Sequence, residues 1–306
     1  MRKVLALLAV IGLTVAIVFG VTQWLGQHDG VLPGQDPESD DGVLAEQPEW
    51  CPAVEVISVP GTGESRVDDD PVTPNTLPQA MLTNVTAPLQ QTYAPDDVKV
   101  WTAPYPAQIK AFNTPELLTY ADSLAAGRDV VSAELTQMHS DCPLTQFVMM
   151  GFSQGAAIAG DLAEAIGAGN GPVPAENVAG VALIGDPRRS PEQGMNPGVP
   201  LAGVGIELAL APVNVIVNQV APGATMRGPR AGFGALNERV QDICAPGDSI
   251  CDVPPAIFDA VARAQEMFNA AGAHASYAFN EDVIPGTPAL AWVEGWARNL
   301  IDPQLN

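Results

Sequence analysis

The stretch that most constrains the fold is an apolar run, a glycine-flanked turn and an Ala-rich segment in immediate succession. The run Phe147–Met150 has the continuous apolar character of a strand in the middle of a parallel sheet. The segment Gln154–Ile166 is typical of a helix, and Gly167 is a suitable C-cap residue. The chain is therefore predicted to turn sharply from a strand into a helix at residues 151–155.

This turn reads Gly-Phe-Ser-Gln-Gly and fits the pattern G-x-S-x-G. Gly151 and Gly155 lack a Cβ, which allows the backbones of the strand and the helix to come close together. The turn lifts Ser153 above the sheet and near a helix N-terminus, where developing negative charge is stabilised. The motif alone is weak evidence, but its strand–turn–helix context favours a serine nucleophile over a simple tight turn.

Composition limits both the size of the core and the classes of partner. At 306 residues, of which 47% are hydrophobic, the chain has room for one domain of about 250 residues and an appendage. A formal net charge of −22 makes nucleic acid an unfavourable partner, and a negatively charged membrane surface would not attract the domain. We find no internal repeats, and we predict neither a cofactor nor a metal ion.

The first 25 residues predict a membrane anchor. After Arg2 and Lys3 the chain runs apolar and uncharged from Val4 to Val21 and on to Leu25. This run exceeds the roughly 7–15 residues of a signal-peptide core and matches the roughly 17–25 of a transmembrane helix. The two basic residues would stay in the cytoplasm, so the rest of the chain would face outward. A cleaved secretory signal is the alternative, and in either case we expect the domain to be exported.

Residues 26–49 are rich in Pro, Gly, Asp and Glu and show no apolar period. This composition is typical of an extended, charged tether. We therefore predict three parts: an anchor at 1–25, a tether at 26–49 and a folded domain at 50–306.

Four cysteines, an even number, agree with export to an oxidising compartment. Cys244 and Cys251 are close enough in sequence to close a short loop. Cys51 and Cys142 would then tie the beginning of the domain to the segment before the nucleophile strand. A metal site is the rival interpretation, but no C-x-x-C or paired histidine spacing supports it.

Strands and helices alternate along the predicted domain. The predicted strands are Val54–Val59, Val98–Thr102, Phe147–Met150, Val178–Ile184 and Val213–Asn218. The predicted helices are Gln79–Tyr93, Leu117–Met138 with a possible break at Gly127, Gln154–Ile166, Ile257–Ala271 and Leu290–Leu300. This alternation predicts a three-layer α/β/α sandwich around a mostly parallel sheet.

A serine hydroxyl needs a base to take its proton, and the base needs a carboxylate to hold its tautomer. The chain contains three histidines. His28 lies in the tether, and His139 precedes the serine at the end of a predicted helix, where it suits a capping role. His274 remains as the candidate base, and it follows the serine as the order Ser…Asp…His requires.

Several aspartates are candidates for the carboxylate. Asp248 is preferred, because it lies between two cysteines whose disulfide would hold it rigidly. Asp186 lies at the C-terminal edge of a strand, where the catalytic groups of open α/β sheets collect. Asp242 and Asp252 also precede the candidate base, and they remain open.

Three motifs in this order resemble those of the cutinase family of serine esterases: Gly-Phe-Ser-Gln-Gly, Cys-x3-Asp-x2-Cys, and His-x2-Tyr at His274 and Tyr277. The resemblance covers residues 50–300 and is closest to the actinobacterial, envelope-associated branch, which acts on lipid esters. It implies an α/β-hydrolase fold with the triad Ser153, Asp248 and His274 and the disulfides Cys51–Cys142 and Cys244–Cys251. It also implies an oxyanion hole formed by Gln154 and Thr62.

The chain departs from the family pattern in two places. Thr62 stands where the family has a serine, and threonine can supply the same backbone N–H and hydroxyl. The stretch from Asp248 to His274 is longer than in the compact fungal enzymes, and a Pro/Gly-rich segment at 188–210 follows Asp186. Both insertions predict extra structure around the pocket and argue against transferring a specificity for polymeric cutin.

The sequence therefore predicts an exported serine esterase that hydrolyses carboxylic esters of lipid-like substrates. We expect a monomeric catalytic domain that is held at the cell membrane by its N-terminal helix, or secreted if that segment is cleaved. An acyltransferase of the cell envelope with the same triad is the alternative. A non-catalytic envelope scaffold is the second alternative.

Overall fold

A five-stranded parallel sheet forms the centre of the part of the chain that the computed structural model describes, which is residues 47–111, 113–254 and 272–305. The spatial order is β2-β1-β3-β4-β5, and every neighbouring pair is parallel. The strands are β1 (Val54–Val59), β2 (Val98–Thr102), β3 (Gln146–Phe152), β4 (Val178–Ile184) and β5 (Val240–Ile243). The predicted parallel α/β architecture is confirmed.

Helices cover both faces of this sheet. They are α1 (Thr83–Thr92), α2 (Tyr120–Asp141), α3 (Gln154–Gly167), α4 (Ile206–Leu210), α5 (Asn214–Val220) and α6 (Ala289–Ile301). In β1 the side chains alternate, so that Val54 and Val56 join one hydrophobic cluster with α1 and α6, while Ile57 and Val59 join another with α2 and α3. Since burying one such side chain stabilises the fold by about 1.5–3 kcal/mol, the two clusters fix the three layers.

The N-terminal anchor at 1–25, most of the tether and the predicted helix Ile257–Ala271 lie outside the described residues. Within the described ranges, no helix combines the length and the apolar character that a membrane crossing requires.

Helix α2 is continuous, so the predicted break at Gly127 is wrong. Gly127 serves close packing instead, because a Cβ at this position would lie 2.5 Å from Ile158 Cδ1 and 2.8 Å from Tyr105 Cδ2. The closing helix is confirmed as α6, and the rings of Trp292 and Trp296 stack on its surface.

The predicted strand Val213–Asn218 is also wrong, because these residues belong to helix α5 and the turn before it. Val217 is buried in the core on the α3 side, whereas Val215 is 80% exposed and Ile216 is 41% exposed. Tertiary packing has overridden the β-propensity of this valine-rich segment. The fifth strand is β5, whose four residues are too few to show a period in the sequence.

A buried group of charges anchors the long segment after β4 to helix α3. We call it the arginine cluster; its members are Arg188, Arg227, Arg230, Asp161, Asp186 and Glu207. The Arg230 guanidinium donates to Asp186 Oδ2 at 2.5 Å and to Asp161 Oδ1 at 3.1 Å, and Arg227 Nε donates to Glu207 Oε2 at 2.7 Å. Burial opposes ionisation, but the neighbouring guanidinium groups hold the pKa of the Asp161 carboxyl below its ordinary value.

Candidate active site

The turn after β3 has the strained backbone that a nucleophile elbow requires. Ser153 has a φ of 54°, and it is the only non-glycine residue with positive φ in the described part of the chain. A Cβ on Gly151 would lie 2.3 Å from the Gly155 carbonyl oxygen, and one on Gly155 would lie 1.9 Å from the Val59 carbonyl oxygen. Both glycines are therefore sterically necessary, as the sequence predicts.

Three of the predicted site residues lie within hydrogen-bonding distance of one another. Ser153 Oγ is 2.9 Å from His274 Nε2, and His274 Nδ1 is 2.8 Å from Asp248 Oδ2. Ser153 is half-buried, whereas His274 and Asp248 are buried. A hydroxyl, an imidazole and a carboxylate in this order can transfer the hydroxyl proton to the ring and stabilise the resulting charge.

The Asp248 carboxylate is fully buried and is held by three neighbours. Its Oδ1 accepts the backbone N–H of Ile250 at 2.8 Å, and its Oδ2 accepts the Tyr277 hydroxyl at 2.6 Å as well as facing His274. The disulfide Cys244–Cys251 closes the loop that carries it. Its oxygens are therefore held by neutral donors and the imidazole.

The imidazole of His274 is clamped between two features of the sheet edge. The Phe152 ring stacks on it with a centroid distance of 4.9 Å and an interplanar angle of 25°. Directly after β4, Gly185 has a φ of 64°, and a Cβ there would lie 2.8 Å from His274 Cε1. The glycine lets the backbone pass directly beneath the ring.

The predicted oxyanion-hole residues also meet at this edge. Thr62 Oγ1 donates to Gln154 Oε1 at 3.1 Å, and Gln154 Nε2 donates to the buried Ser123 Oγ at 2.8 Å. Ser123 in turn donates to the Pro106 carbonyl oxygen at 2.6 Å. Among the described residues neither the Thr62 nor the Gln154 backbone N–H has an acceptor, so both are available to an oxyanion.

The loop that carries Thr62 is held from both sides. Glu64 accepts the backbone N–H groups of Gly61 and Met81, each at 2.8 Å, and the buried Tyr105 hydroxyl donates to the Pro60 carbonyl oxygen at 2.7 Å. Burial raises the pKa of the Glu64 carboxyl, against the lowering effect of these N–H groups and of nearby His274. Glu64 is therefore the acidic side chain of this loop that lies near His274.

The rival aspartates have other partners. Asp186 is bound by Arg230 and accepts the backbone N–H of Arg188 at 2.9 Å. Asp242 pairs with Arg189 at 2.7 Å, and Asp252 accepts the backbone N–H of Gly247 at 2.9 Å. Of the four candidates, Asp248 is the one that contacts His274.

Both predicted disulfides are present, with Cα–Cα distances of 5.5 Å for Cys51–Cys142 and 5.9 Å for Cys244–Cys251. The ligand atoms of Cys244, Asp248 and Cys251 lie within 4.8 Å of one another, as they would in a metal site. Since the two sulfurs are bonded to each other, they do not offer the thiolates that a metal ion binds.

Sequence reasoning missed three contributors to this site: Ser123, Phe152 and Glu64. Ser123 and Gln154 are 31 residues apart, and no local pattern links them. Phe152 occupies a variable position of the G-x-S-x-G motif, and Glu64 lies in a Gly-rich loop that has the sequence of an ordinary turn. The spacing of residues in the sequence does not reveal any of the three.

His139 lies in the last turn of α2, as predicted, and its side chain is half-buried. The imidazole that contacts Ser153 and Asp248 belongs to His274 instead.

The chain is similar to known proteins over most of its length. The cutinase family model matches residues 51–280. A curated relative, the carboxylesterase Culp6 homolog of Corynebacterium glutamicum, is 48% identical over 307 residues, which cover 99% of each chain.

Two solved structures resemble this chain at low sequence identity. The catalytic core of acetyl xylan esterase from Trichoderma reesei is 18% identical with a TM-score of 0.50, over 83% of this chain and 100% of that one. A cutinase-like protein from Cryptococcus sp. is 18% identical with a TM-score of 0.49, over 84% of this chain and 98% of that one. The length of the family match and the identity to the curated relative establish that the chain belongs to the cutinase family of carboxylic ester hydrolases, with an α/β-hydrolase fold.

Proposed function

We propose that the protein is an exported serine esterase that hydrolyses lipid-like carboxylic esters with Ser153, His274 and Asp248 as its triad. The observation that carries the proposal is the continuous chain of contacts of 2.9 Å and 2.8 Å from Ser153 Oγ through the imidazole to Asp248. Family membership and this geometry together favour an enzyme over a non-catalytic scaffold.

In the acylation step, Ser153 Oγ attacks the ester carbonyl carbon while His274 Nε2 takes the hydroxyl proton. Asp248 stabilises the imidazolium, and the backbone N–H groups of Gln154 and Thr62 stabilise the oxyanion of the tetrahedral intermediate. Loss of one such donor typically raises the barrier by about 3–4 kcal/mol. When the carbon–oxygen bond of the ester breaks, the imidazolium gives its proton to the leaving alcohol.

In the deacylation step, water attacks the acyl-enzyme and gives a proton to His274 Nε2. The second tetrahedral intermediate collapses, the acid leaves, and Ser153 Oγ recovers its proton from the ring. An alcohol in place of water would give a new ester, which is the acyltransferase alternative. The same residues serve both reactions, so the acceptor decides between them.

The proposed location and substrate class rest on different observations. Two disulfides within the domain favour an oxidising compartment outside the cytoplasm. The apolar run at Val4–Val21 favours an N-terminal anchor. The lipid-like substrate follows from the motif resemblance to the envelope-associated branch of the family. These three points together favour a reaction at the outer face of the membrane.

The proposal is tested with the full chain in detergent, using a fluorophosphonate label and a series of p-nitrophenyl esters of increasing chain length. Ser153→Ala should abolish labelling and lower kcat by about 10⁴–10⁶-fold. Ser140→Ala, which changes an exposed serine at the end of α2, is the matched control and should behave like the wild type.

Three outcomes would count against parts of the proposal. Labelling that persists in Ser153→Ala would reject the nucleophile. Hydrolysis limited to acetyl esters, with no turnover of longer acyl chains or of a phospholipid, would reject a lipid-like substrate. Ester formation that exceeds hydrolysis when glycerol is added would favour the acyltransferase.

A further inference from the structure

Tyr277 makes a set of contacts that the proposed mechanism does not use. Its side chain is fully buried, three residues after His274. The hydroxyl donates to Asp248 Oδ2 at 2.6 Å and accepts the backbone N–H of Ala245 at 3.0 Å. It also lies 3.4 Å from Cys251 Sγ. One phenol therefore touches the carboxylate and both ends of the loop that carries it.

The acceptor of this hydroxyl is what distinguishes Tyr277 from the other tyrosines of the chain. All four tyrosine hydroxyls donate to an oxygen: Tyr93 to Asp302 Oδ1, Tyr105 to the Pro60 carbonyl, Tyr120 to Glu207 Oε1 and Tyr277 to Asp248 Oδ2. The oxygen that Tyr277 binds is the same atom that faces His274 Nδ1 at 2.8 Å. The phenol and the imidazole therefore share one carboxylate oxygen.

We propose that Tyr277 is a positioning residue that holds Asp248 through this shared oxygen and limits how much of its negative charge acts on His274. The inference deepens the proposed function and rests on it. The Tyr277 hydroxyl bonds to Asp248, Ala245 and Cys251, and not to Ser153 or the oxyanion donors, so it acts on the reaction through the carboxylate.

The hydroxyl keeps its proton throughout the working pH range. Burial, followed by the nearby Asp248 charge, raises the pKa of the Tyr277 phenol well above its ordinary value. A neutral donor at 2.6 Å from a carboxylate oxygen forms a strong, charge-assisted hydrogen bond. This bond withdraws part of the negative charge that would otherwise stabilise the imidazolium.

Removing the hydroxyl has two separate consequences. The carboxylate loses a restraint, which misorients the imidazole and lowers kcat. The carboxylate oxygen also presents more charge to His274, so the ring keeps its proton to a higher pH. The acid limb of the kcat/KM profile should therefore move to higher pH. Loosening of the loop alone would lower kcat without this displacement.

Other charged groups face this trio and stay unchanged when the hydroxyl is removed. Among the described residues, Glu64 on the loop after β1 lies near His274, and Asp242 on β5, which pairs with Arg189, lies near Tyr277. Asp252 follows the disulfide loop and accepts the backbone N–H of Gly247. Their effect on the pH profile is common to the wild type and the variant, so the displacement between the two profiles reports on Tyr277.

The test compares Tyr277→Phe with the wild type in the full chain, using a soluble p-nitrophenyl ester from pH 5 to 9. We expect kcat to fall about tenfold, because a hydrogen bond to a charged group is lost. We expect KM to change less than about twofold and the acid limb to move up by about half to one pH unit.

Tyr120→Phe is the matched control, since it also removes a buried hydroxyl that donates to a carboxylate, at 2.8 Å from Glu207. Its acid limb should coincide with that of the wild type. Incorporation of 3-fluorotyrosine at Tyr277 keeps the shape and makes the hydroxyl a stronger donor, so its acid limb should move to lower pH. If Tyr277→Phe fails to fold, the acid limb of the 3-fluorotyrosine protein tests the role of Tyr277 by itself.

An acid limb in Tyr277→Phe that coincides with the wild type, or that moves to lower pH, would overturn the inference. So would an unshifted limb in the 3-fluorotyrosine protein. Ser153→Ala separates this result from the proposed function. If Ser153→Ala keeps its activity, the triad itself is rejected, whereas an inactive Ser153→Ala with an unshifted Tyr277→Phe rejects the role of Tyr277 alone.

Discussion

Two buried groups of charged residues lie close to helix α3, and different kinds of donor bind the carboxylates in each. In the arginine cluster, Asp161 and Asp186 are bound by guanidinium groups, with Arg230 touching both. At the candidate active site, Asp248 is bound by a backbone N–H, a phenol and an imidazole. Both arrangements satisfy buried carboxylates, but only the second includes a partner whose ordinary pKa lies near neutrality.

This difference explains why one aspartate can serve a proton transfer and the other cannot. Acidic neighbours raise the pKa of the Arg230 guanidinium despite its burial, so the partner of Asp186 does not release its proton. The imidazole beside Asp248 can gain and lose one. The arginine cluster therefore fixes the position of the segment after β4, while the site keeps a proton that can move.

The largest expected effect comes from exchanging the two carboxylates for amides. Asp248→Asn should lower kcat by about 10⁴-fold with little loss of stability, because the imidazole loses its correct tautomer. Asp186→Asn should keep kcat within a few-fold but lower the free energy of unfolding by about 3–5 kcal/mol, because Arg230 is left buried with less compensation. Ester hydrolysis and urea unfolding measure the two effects. Equal loss of activity in both variants would contradict the assignment of a catalytic role to Asp248 and a structural role to Asp186.

A smaller effect is expected from the disulfides, which differ in the length of chain they close. Cys244→Ser/Cys251→Ser removes a bridge across 7 residues beside Asp248, and Cys51→Ser/Cys142→Ser removes one across 91 residues away from it. Chain entropy predicts a loss of about 2–3 kcal/mol for the short loop and about 4–5 kcal/mol for the long one.

Activity should follow the reverse order. We expect kcat to fall about 10- to 100-fold in the short-loop variant, since the acid loses its support, and to stay near the wild-type value in folded long-loop protein. Kinetics below the unfolding temperature of each variant check this. Unchanged kcat in Cys244→Ser/Cys251→Ser would show that Tyr277 and Ile250 alone hold the carboxylate.

The smallest effect on activity concerns Asp242, which lies between the two groups. Burial, opposed by Arg189, raises the pKa of its carboxyl to about 7. The folded state therefore binds a proton that the unfolded chain releases, so this residue's contribution to stability is full below about pH 4 and is lost as pH rises through 7.

Asp242→Asn should remove this dependence. Between pH 4 and 7 the free energy of unfolding should decrease in both proteins, but the decrease should be about 2 kcal/mol smaller in the variant. At neutral pH, kcat should stay near the wild-type value. Urea unfolding at several pH values provides the measurement. Parallel pH dependences of stability in the two proteins would show that Asp242 is already ionised in the fold.

Much of the fold was accessible from sequence because its signals are local. The apolar runs of β1, β3 and β4 and the amphipathic pattern of α6 lie in single segments, and the structure confirms them. Helix α5 was mistaken for a strand because β-branched residues are typical of strands, whereas its environment decides that only Val217 is buried. Strand β5 was missed because its pairing with β4, and not its four-residue sequence, defines it.

The candidate site divides in the same way. Ser153 and its two glycines form a local device, so their spacing was enough to predict the turn. Ser123, Phe152 and Glu64 act through contacts between distant segments, and such contacts leave no periodic signal in a single sequence.

By itself the sequence determined the bend that carries Ser153, because the motif Gly-Phe-Ser-Gln-Gly occupies five consecutive residues between an apolar run and an Ala-rich segment. It favoured Asp248 as the partner of the imidazole, but it kept the other aspartates as alternatives. Tertiary structure decided that question, since His274 and Ser153 are 121 residues apart and Arg230 holds Asp186 elsewhere. The strand order decided where the oxyanion donors lie. In the order β2-β1-β3-β4-β5, β1 and β3 are neighbours, so the loops after them, which carry Thr62 and Ser153, meet at one edge of the sheet.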